Sequence, residues 1–176
     1  MKFLYSVIMM GLLLCFAQQV SAQTDKSKRP SPPVTASQKV GETTVTINYS
    51  QPSVNGRTIG VDLEPMQGKV WRAGANEATV FEVDKDVIIE GKLLPKGKYG
   101  FFILVFDEAW ILIFNKTWKQ WGAFTYKEAD DVLRVPVRDR KVDTVSEKLT
   151  YKIQADGNVH ILWGDKDINF LIQEKK

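Results

Sequence analysis

Apolar and polar residues alternate with a period of two along most of the chain. Residues 43–49, 133–137 and 149–153 follow this pattern, which predicts strands with one buried face. Residues 99–106 and 110–114 are nearly continuous apolar runs. Runs of this length predict strands that are covered on both faces.

The residues that interrupt or separate these runs are typical of an antiparallel fold. Pro136 predicts an edge strand because proline has no amide hydrogen for a ladder. The dipeptide 156–157, Asp-Gly, predicts a hairpin turn, and the polar residues 165–167 predict another. Residues 63–72 and 126–131 resist the strand pattern, and each is predicted to hold a short helical turn.

These elements amount to about ten strands with frequent turns and no long helical period. The predicted fold class is therefore all-β, an antiparallel β-sandwich or a barrel-like sheet with minimal helix.

The first 22 residues have the pattern of a secretory signal peptide. Lys2 supplies the positive start, residues 3–17 are largely apolar, and residues 20–22, Val-Ser-Ala, form a small-residue cleavage site. A transmembrane anchor is the alternative, but a membrane span needs about 20 apolar residues. Cleavage after Ala22 predicts a periplasmic or secreted protein with no membrane span.

Cys15 raises a second alternative, a lipid-modified protein. A lipid-accepting cysteine requires small residues before it, whereas Leu13 and Leu14 precede Cys15. We therefore do not expect lipidation. Removing 22 of the 176 residues would leave a cysteine-free chain of 154. Within it, residues 23–33 are interpreted as a polar, Pro-rich, solvated spacer and residues 34–176 as a single β domain.

Charge and composition exclude several function classes. A net charge of +3 is too small and too evenly spread to indicate a nucleic-acid partner. One cysteine and one histidine in the whole chain do not suggest a disulfide framework, a zinc-thiolate site or a histidine metal cluster. No metal and no cofactor are predicted.

Three irregular segments contain the unusual residues. They are residues 49–57 (YSQPSVNGR), 68–79 (GKVWRAGANEAT) and 121–126 (WGAFTY), the last followed closely by Asp130 and Asp131. The chain resembles a secreted bacterial family known as domain of unknown function 2911, from about residue 37 to residue 170. The resemblance is most specific at residues 71–79. The turn at 94–99, Trp121-Gly122 and Asp131-Val132 support it.

The chain also departs from the pattern of that family. The family usually has an arginine where this chain has Gln51, and a Pro-Tyr-Gly run where this chain has residues 65–68, Pro-Met-Gln-Gly. A site that uses that arginine or tyrosine is not expected. Since the family name implies no activity, the resemblance implies location and fold rather than function.

The candidate ligand-binding side chains come from these segments. They are Arg57, Trp71, Arg72, Asn76, Glu77, Trp121 and Tyr126. Small residues around 71–79 would let the backbone approach a ligand, while arginine and glutamate supply charge.

Each candidate also has a structural interpretation. Arg72 would pair with Glu77 inside the domain, and Asn76 would satisfy loop backbone groups, which is the slightly favoured hypothesis. Arg57 would pair with Asp62 or Glu64 instead of a ligand.

The aromatic residues near 121 also allow two interpretations. Trp118, Trp121, Phe124 and Tyr126 form either an exposed platform for sugar rings or a partner, or the lid of the core. The core is favoured because tryptophan and tyrosine are usually mostly buried.

Catalytic candidates are few. Glu77 and Asp131 are weak candidates for the carboxylate pair of a glycosidase. Asp130 and Asp131 are predicted in a turn, one capping and the other pairing with Arg134. His160 lies opposite its apolar neighbours and is predicted to be a surface or second-face histidine.

The leading functional hypothesis is a non-catalytic binding or interaction module. Its partner would be a small polar ligand, a saccharide or an envelope protein. The alternatives are an envelope hydrolase that uses carboxylates and a purely structural envelope protein.

Overall fold

The computed structural model describes residues 25–106 and 109–175. This part is all-β, with two antiparallel sheets that face each other as an unclosed sandwich. The predicted signal peptide lies outside the described residues. No helix in the described ranges is long and apolar enough to cross a membrane.

The first sheet contains the hairpins of the N-terminal and central parts of the chain. Its strands, in spatial order, are β1 (Pro33–Val40), β2 (Thr43–Ser50), β4 (Ala75–Val83), β7 (Gly97–Phe106), β8 (Ala109–Asn115) and β9 (Asp131–Val137), and β3 (Val70–Trp71) pairs with β7. In this order β9 lies at an edge, where Pro136 faces Ile111 across the ladder to β8. The edge position predicted from Pro136 is confirmed.

The second sheet is smaller and contains the two longest strands. Its spatial order is β10 (Asp139–Ile153), β11 (Asn158–Glu174), β5 (Val87–Ile89) and β6 (Lys92–Leu94). The predicted Asp-Gly turn joins β10 to β11, and Gly157 donates its backbone N–H to the carbonyl of Gln154 at 3.0 Å.

The hairpin turn predicted at residues 165–167 is wrong, because these residues lie inside β11. Their charges meet opposite charges on β10. Asp167 accepts from Arg140 at 2.9 Å, and Lys166 donates to Asp139 at 2.8 Å. The polar run is thus explained by cross-strand ion pairs rather than by a chain reversal.

The main core lies between the inner faces of the two sheets. At its centre the fully buried ring of Phe101 on β7 lies near rings from both sheets. These rings are Phe81, Phe114, Tyr151 and Phe170. Tyr151 lies in the alternating stretch 149–153, and its burial with Leu149 confirms the inward face predicted there.

A smaller apolar cluster covers the outer face of the first sheet. Phe102 and Ile113 are fully buried there, and Ala123 and Tyr126 from the following loop pack over them. This second cover explains why β7 and β8 are apolar on both faces, as their sequence predicted.

One of the two predicted helical turns is present. Residues Glu128–Asp130 form a 3-10 turn. Residues 63–72 contain no helical turn, so that prediction is wrong. Val70 and Trp71 instead pair with Leu104 and Ile103 of β7, where the ladder satisfies their backbone groups.

Candidate functional site

The segment that carries the most specific sequence motif bends sharply between two strands. Both β3 and β4 pair with β7, since Trp71 faces Ile103 and Thr79 faces Phe101. The bend between them centres on Ala73, whose φ is 52°. Its carbonyl accepts from the hydroxyls of Thr79 at 2.9 Å and Tyr151 at 2.6 Å.

Gly74 is required by the close packing of this bend. A Cβ at position 74 would lie 2.7 Å from Oγ1 of Thr79 and 3.2 Å from the carbonyl oxygen of Ser50. The indole nitrogen of the buried Trp71 donates to the carbonyl of Gly74 at 3.0 Å. At position 74, therefore, the small residue lets the chain approach itself rather than a ligand.

A cavity of about 190 Å³ opens beside the bend and brings three predicted site residues together. Arg57, Trp71 and Arg72 line it with Glu64 and Trp163 among others. The indole of Trp163 donates to the carbonyl oxygen of Glu64 at 2.8 Å, which holds residues 64 and 163 together. The sequence did not indicate Glu64 or Trp163 as site residues, since no local spacing links positions so far apart.

Arg72 is the unusual group in this wall. Its Nε is completely buried and has no hydrogen-bond partner within the described residues. Burial lowers the pKa of the guanidinium, and the nearby Glu64 carboxylate partly offsets this. The predicted Arg72–Glu77 pair is wrong, because Glu77 binds other cations.

Arg57 lies at the exposed side of the same cavity. Its Nε donates to the carbonyl of Val54 at 3.0 Å, and its Nη2 donates to the carbonyl of Ser53 at 2.8 Å. The predicted pairing with Asp62 or Glu64 does not occur. These backbone contacts hold the guanidinium in place and leave its Nη1 without a hydrogen bond to any described residue.

A second cluster joins Asn76, Glu77 and Trp121 to the N-terminal segment. Glu77 accepts from Lys26 at 2.9 Å and from Arg29 at 2.9 and 3.1 Å. Asn76 donates to the carbonyl of Ser31 at 2.9 Å.

Trp121 belongs to this cluster as well. The guanidinium of Arg29 lies 5.8 Å from the centre of its ring, and an isolated β-bridge pairs Trp121 with Glu77. From Lys26 onward, the segment interpreted as a solvated spacer is therefore folded onto the domain.

A third cluster holds Tyr126 and Asp131. The Asp131 carboxylate is only 6% exposed and accepts from Tyr126 at 2.7 Å and from Asn115 at 2.8 Å. Arg134 lies 3.5 Å away, so the predicted pairing of one of the two aspartates with Arg134 is confirmed. The predicted cap is wrong, because no side chain caps the 3-10 turn and Asp130 accepts from Thr117 instead. Burial, followed by the hydrogen bond to Asp131, raises the pKa of Tyr126.

The two catalytic candidates therefore lie in separate clusters. Glu77 is bound by Lys26 and Arg29, whereas Asp131 is bound by Asn115, Tyr126 and Arg134, so they share no partner.

His160 lies outside these clusters. It is half-buried on β11, and its Nδ1 is 2.9 Å from the Asp167 carboxylate. Across residues 25–106 and 109–175, no three His, Cys, Asp or Glu side chains are grouped to hold a metal ion.

The comparison with known families supports the resemblance that was most specific at residues 71–79. The profile described as "Protein of unknown function (DUF2911)" matches residues 31–172. The chain belongs to this family. The match includes the whole bend and both arginines of the cavity, but it begins after Lys26 and Arg29. No curated protein and no solved structure matches the chain significantly.

The Glu77 cluster leads to a prediction about acid stability. Burial acts to raise the pKa of Glu77, but hydrogen bonds from Lys26 and Arg29 outweigh it and lower the pKa from 4.5 to about 2. A carboxylate with a lowered pKa stabilises the fold above its unfolded pKa, and this contribution is lost as pH falls through the folded pKa. E77Q should therefore be about 1 kcal/mol less stable than wild type at neutral pH, since the pair is partly exposed. The difference should disappear between pH 4.5 and about 2.

Urea denaturation across this pH range measures the difference. Trypsin cleavage after Lys26 or Lys28 should also become faster in E77Q, because the segment loses its anchor. E82Q is the matched control, since Glu82 has one exposed ion pair, with Lys98. Equal stability of E77Q and wild type at every pH would contradict a stabilising role for the ion pairs of Glu77 with Lys26 and Arg29.

Proposed function

We propose that this protein is an exported, non-catalytic binding module that takes a small polar ligand with an anionic group. The ligand would enter the cavity between Arg57 and Arg72. The observation that carries the proposal is the buried Nε of Arg72, which has no hydrogen-bond partner in the described structure.

An unpaired buried donor is unfavourable, and native structures contain few of them. Leaving such a group unsatisfied costs about 1–3 kcal/mol, more when it is charged. A carboxylate or phosphate at this wall would accept from Arg72 with a short charge-assisted bond. An anion bound from the cavity would also stabilise the charge of the Arg72 guanidinium, which burial disfavours.

The rest of the cavity favours the same ligand class. Arg57 supplies a second guanidinium, positioned by its bonds to the backbone of Ser53 and Val54. Glu64 adds a carboxylate that would accept a hydrogen bond from an amine or hydroxyl on the ligand. The indoles of Trp71 and Trp163 form apolar wall.

The volume limits the size of the ligand. Pockets for drug-sized molecules are about 300–1,000 Å³, whereas this cavity is about 190 Å³. The space suits a molecule of amino-acid or hydroxy-acid size better than an oligosaccharide. Binding without catalysis is proposed because Glu77 and Asp131, the carboxylates considered for hydrolysis, are held by partners elsewhere.

Isothermal titration with glutamate, malate and inorganic phosphate tests the proposal. At least one of these probes should bind wild type, and R72M should weaken that binding about 10- to 100-fold because it removes a charged hydrogen-bond donor. R57Q should weaken it less, since Arg57 is exposed. R138Q, which removes an exposed arginine outside this cavity, should leave it unchanged.

The stability of unliganded R72M separates a binding role from a structural one. If Arg72 serves a ligand, the unliganded variant should be no less stable than wild type, because an unsatisfied donor is removed. A large loss of stability in R72M together with no binding of any probe to wild type would support the structural alternative and overturn the proposal.

A further inference from the structure

The loop of residues 116–127 exposes three aromatic side chains on the outer face of the first sheet. Phe124 is 84% exposed, Trp121 53% and Trp118 37%. The prediction that the aromatic residues near 121 are buried is wrong for these three. Of the four, only Tyr126 packs inward, with its ring centre 5.2 Å from that of Phe102. Exposed apolar groups concentrated in one short segment mark an interaction surface.

The charges of this loop are all positive. Residues 116–127 contain Lys116, Lys119 and Lys127 and no aspartate or glutamate. The three lysines are exposed, and within the described residues no ion pair or hydrogen bond engages their ammonium groups. The acids that follow the loop are engaged: Glu128 and Asp131 with Arg134, and Asp130 with Thr117.

The loop is held in one shape by its own polar groups. The amide of Gln120 donates to the carbonyl of Thr117 at 2.7 Å and accepts from the hydroxyl of Thr125 at 3.0 Å. Its backbone carbonyl accepts from Ala78 at 3.0 Å, and Gly122 donates to the carbonyl of Asn76 at 2.9 Å. The exposed rings are therefore presented on a fixed frame, and Gln120 has little hydrogen-bonding capacity left.

These features fit a lipid surface better than a sugar. A cation already covers one face of each exposed indole, Arg29 on Trp121 and Lys98 on Trp118, both at 5.8 Å. A sugar platform needs free ring faces and nearby hydrogen-bonding groups, whereas Phe124 offers no polar group. Aromatic rings beside basic residues are instead the pattern of proteins that lie at a membrane interface.

We propose that loop 116–127 docks on the surface of an anionic lipid bilayer, with Phe124 and Trp121 entering the headgroup region. Lys116, Lys119 and Lys127 would approach the lipid phosphates. The surface is separate from the cavity between Arg57 and Arg72, so this proposal does not depend on ligand binding there.

Vesicle co-sedimentation tests the proposal directly. The chain from Gln23 onward is suitable, because it contains every strand and every core residue that the structure describes. It should bind phosphatidylcholine vesicles with about 30% phosphatidylglycerol, and bind pure phosphatidylcholine vesicles at least tenfold more weakly. Raised salt should weaken the binding because screening reduces the attraction.

Two variants of the loop separate its charge from its rings. Neutralising Lys116, Lys119 and Lys127 to glutamine should weaken binding about a hundredfold, at about fivefold per lysine. F124S should weaken it about tenfold, because it removes apolar surface that enters the interface. Both changes replace exposed side chains, so circular dichroism and thermal unfolding should match wild type.

The controls carry the same chemical changes elsewhere. The triple variant of Lys85, Lys148 and Lys152 to glutamine removes the same charge, and F106S removes an exposed phenylalanine from the far end of the β7–β8 hairpin. Both should bind as wild type does. Absence of binding to anionic vesicles, equal losses in the control variants, or selective binding to a neutral polysaccharide that F124S abolishes would each overturn the proposal.

Discussion

Replacing Phe101 with alanine should lower the free energy of unfolding by about 3–5 kcal/mol. The ring is fully buried and lies 5.2–6.2 Å, centre to centre, from four other aromatic rings. Two of these rings belong to the first sheet and two to the second. Removing the Phe101 ring therefore leaves a cavity between the sheets that backbone movement in one sheet alone cannot close.

Urea denaturation followed by circular dichroism measures this loss. F124A is the matched control, since Phe124 is 84% exposed and its truncation should change stability by less than about 0.5 kcal/mol. A loss below about 1 kcal/mol for F101A would mean that the inter-sheet core differs from the arrangement described.

Replacing Gly157 with alanine should cost about 3 kcal/mol of stability. Gly157 has a φ of 91°, which disfavours any residue with a Cβ, and a Cβ there would overlap the carbonyl oxygen of Ile172. The backbone N–H of Ile172 also donates to the carbonyl of Gly157 at 2.9 Å. Relieving the overlap would thus strain or break the hydrogen bond between this turn and Ile172, near the far end of β11.

Gly91 provides the control that separates strain from overlap. It has a φ of 79°, but a Cβ at that position would meet no atom within 4 Å. G91A should therefore lower the free energy of unfolding only by the cost of placing alanine at positive φ, about 1–2 kcal/mol. Thermal or urea unfolding of both variants tests this, and equal losses would show that contact with Ile172 contributes nothing.

The fold was largely predictable because the signals for it are local. Alternation at residues 43–49 and 149–153, the proline at 136 and the Asp-Gly pair at 156–157 each depend on neighbours in the chain. Each keeps its meaning in the structure, as inward-facing strands, an edge strand and a hairpin turn.

The failures arose where distant residues decide the outcome. Residues 165–167 resemble a turn in isolation, but β10 supplies partners for their charges across the ladder. Glu77 would have Arg72 as a near neighbour along the chain, yet Arg29, 48 residues earlier, satisfies its carboxylate. Neither strand register nor the path of the N-terminal segment can be read from local spacing.

The candidate site divides for the same reason. The sequence motif indicated that residues 71–79 matter, but it did not show that Trp71 and Arg72 face a cavity while Asn76 and Glu77 face the N-terminal segment. The sharp bend at Ala73 makes that division, because Trp71 before it pairs with Ile103 of β7, whereas Glu77 after it forms a bridge with Trp121.

By itself, the sequence determined the all-β class, the edge strand and the Asp-Gly hairpin turn, because side-chain alternation and turn chemistry act between residues that are close in the chain. Only the tertiary structure decided which charges pair, that Arg72 keeps a buried donor without a partner, and that three aromatic rings of loop 116–127 remain outside the core. Those outcomes depend on strand register and on contacts between segments far apart in sequence.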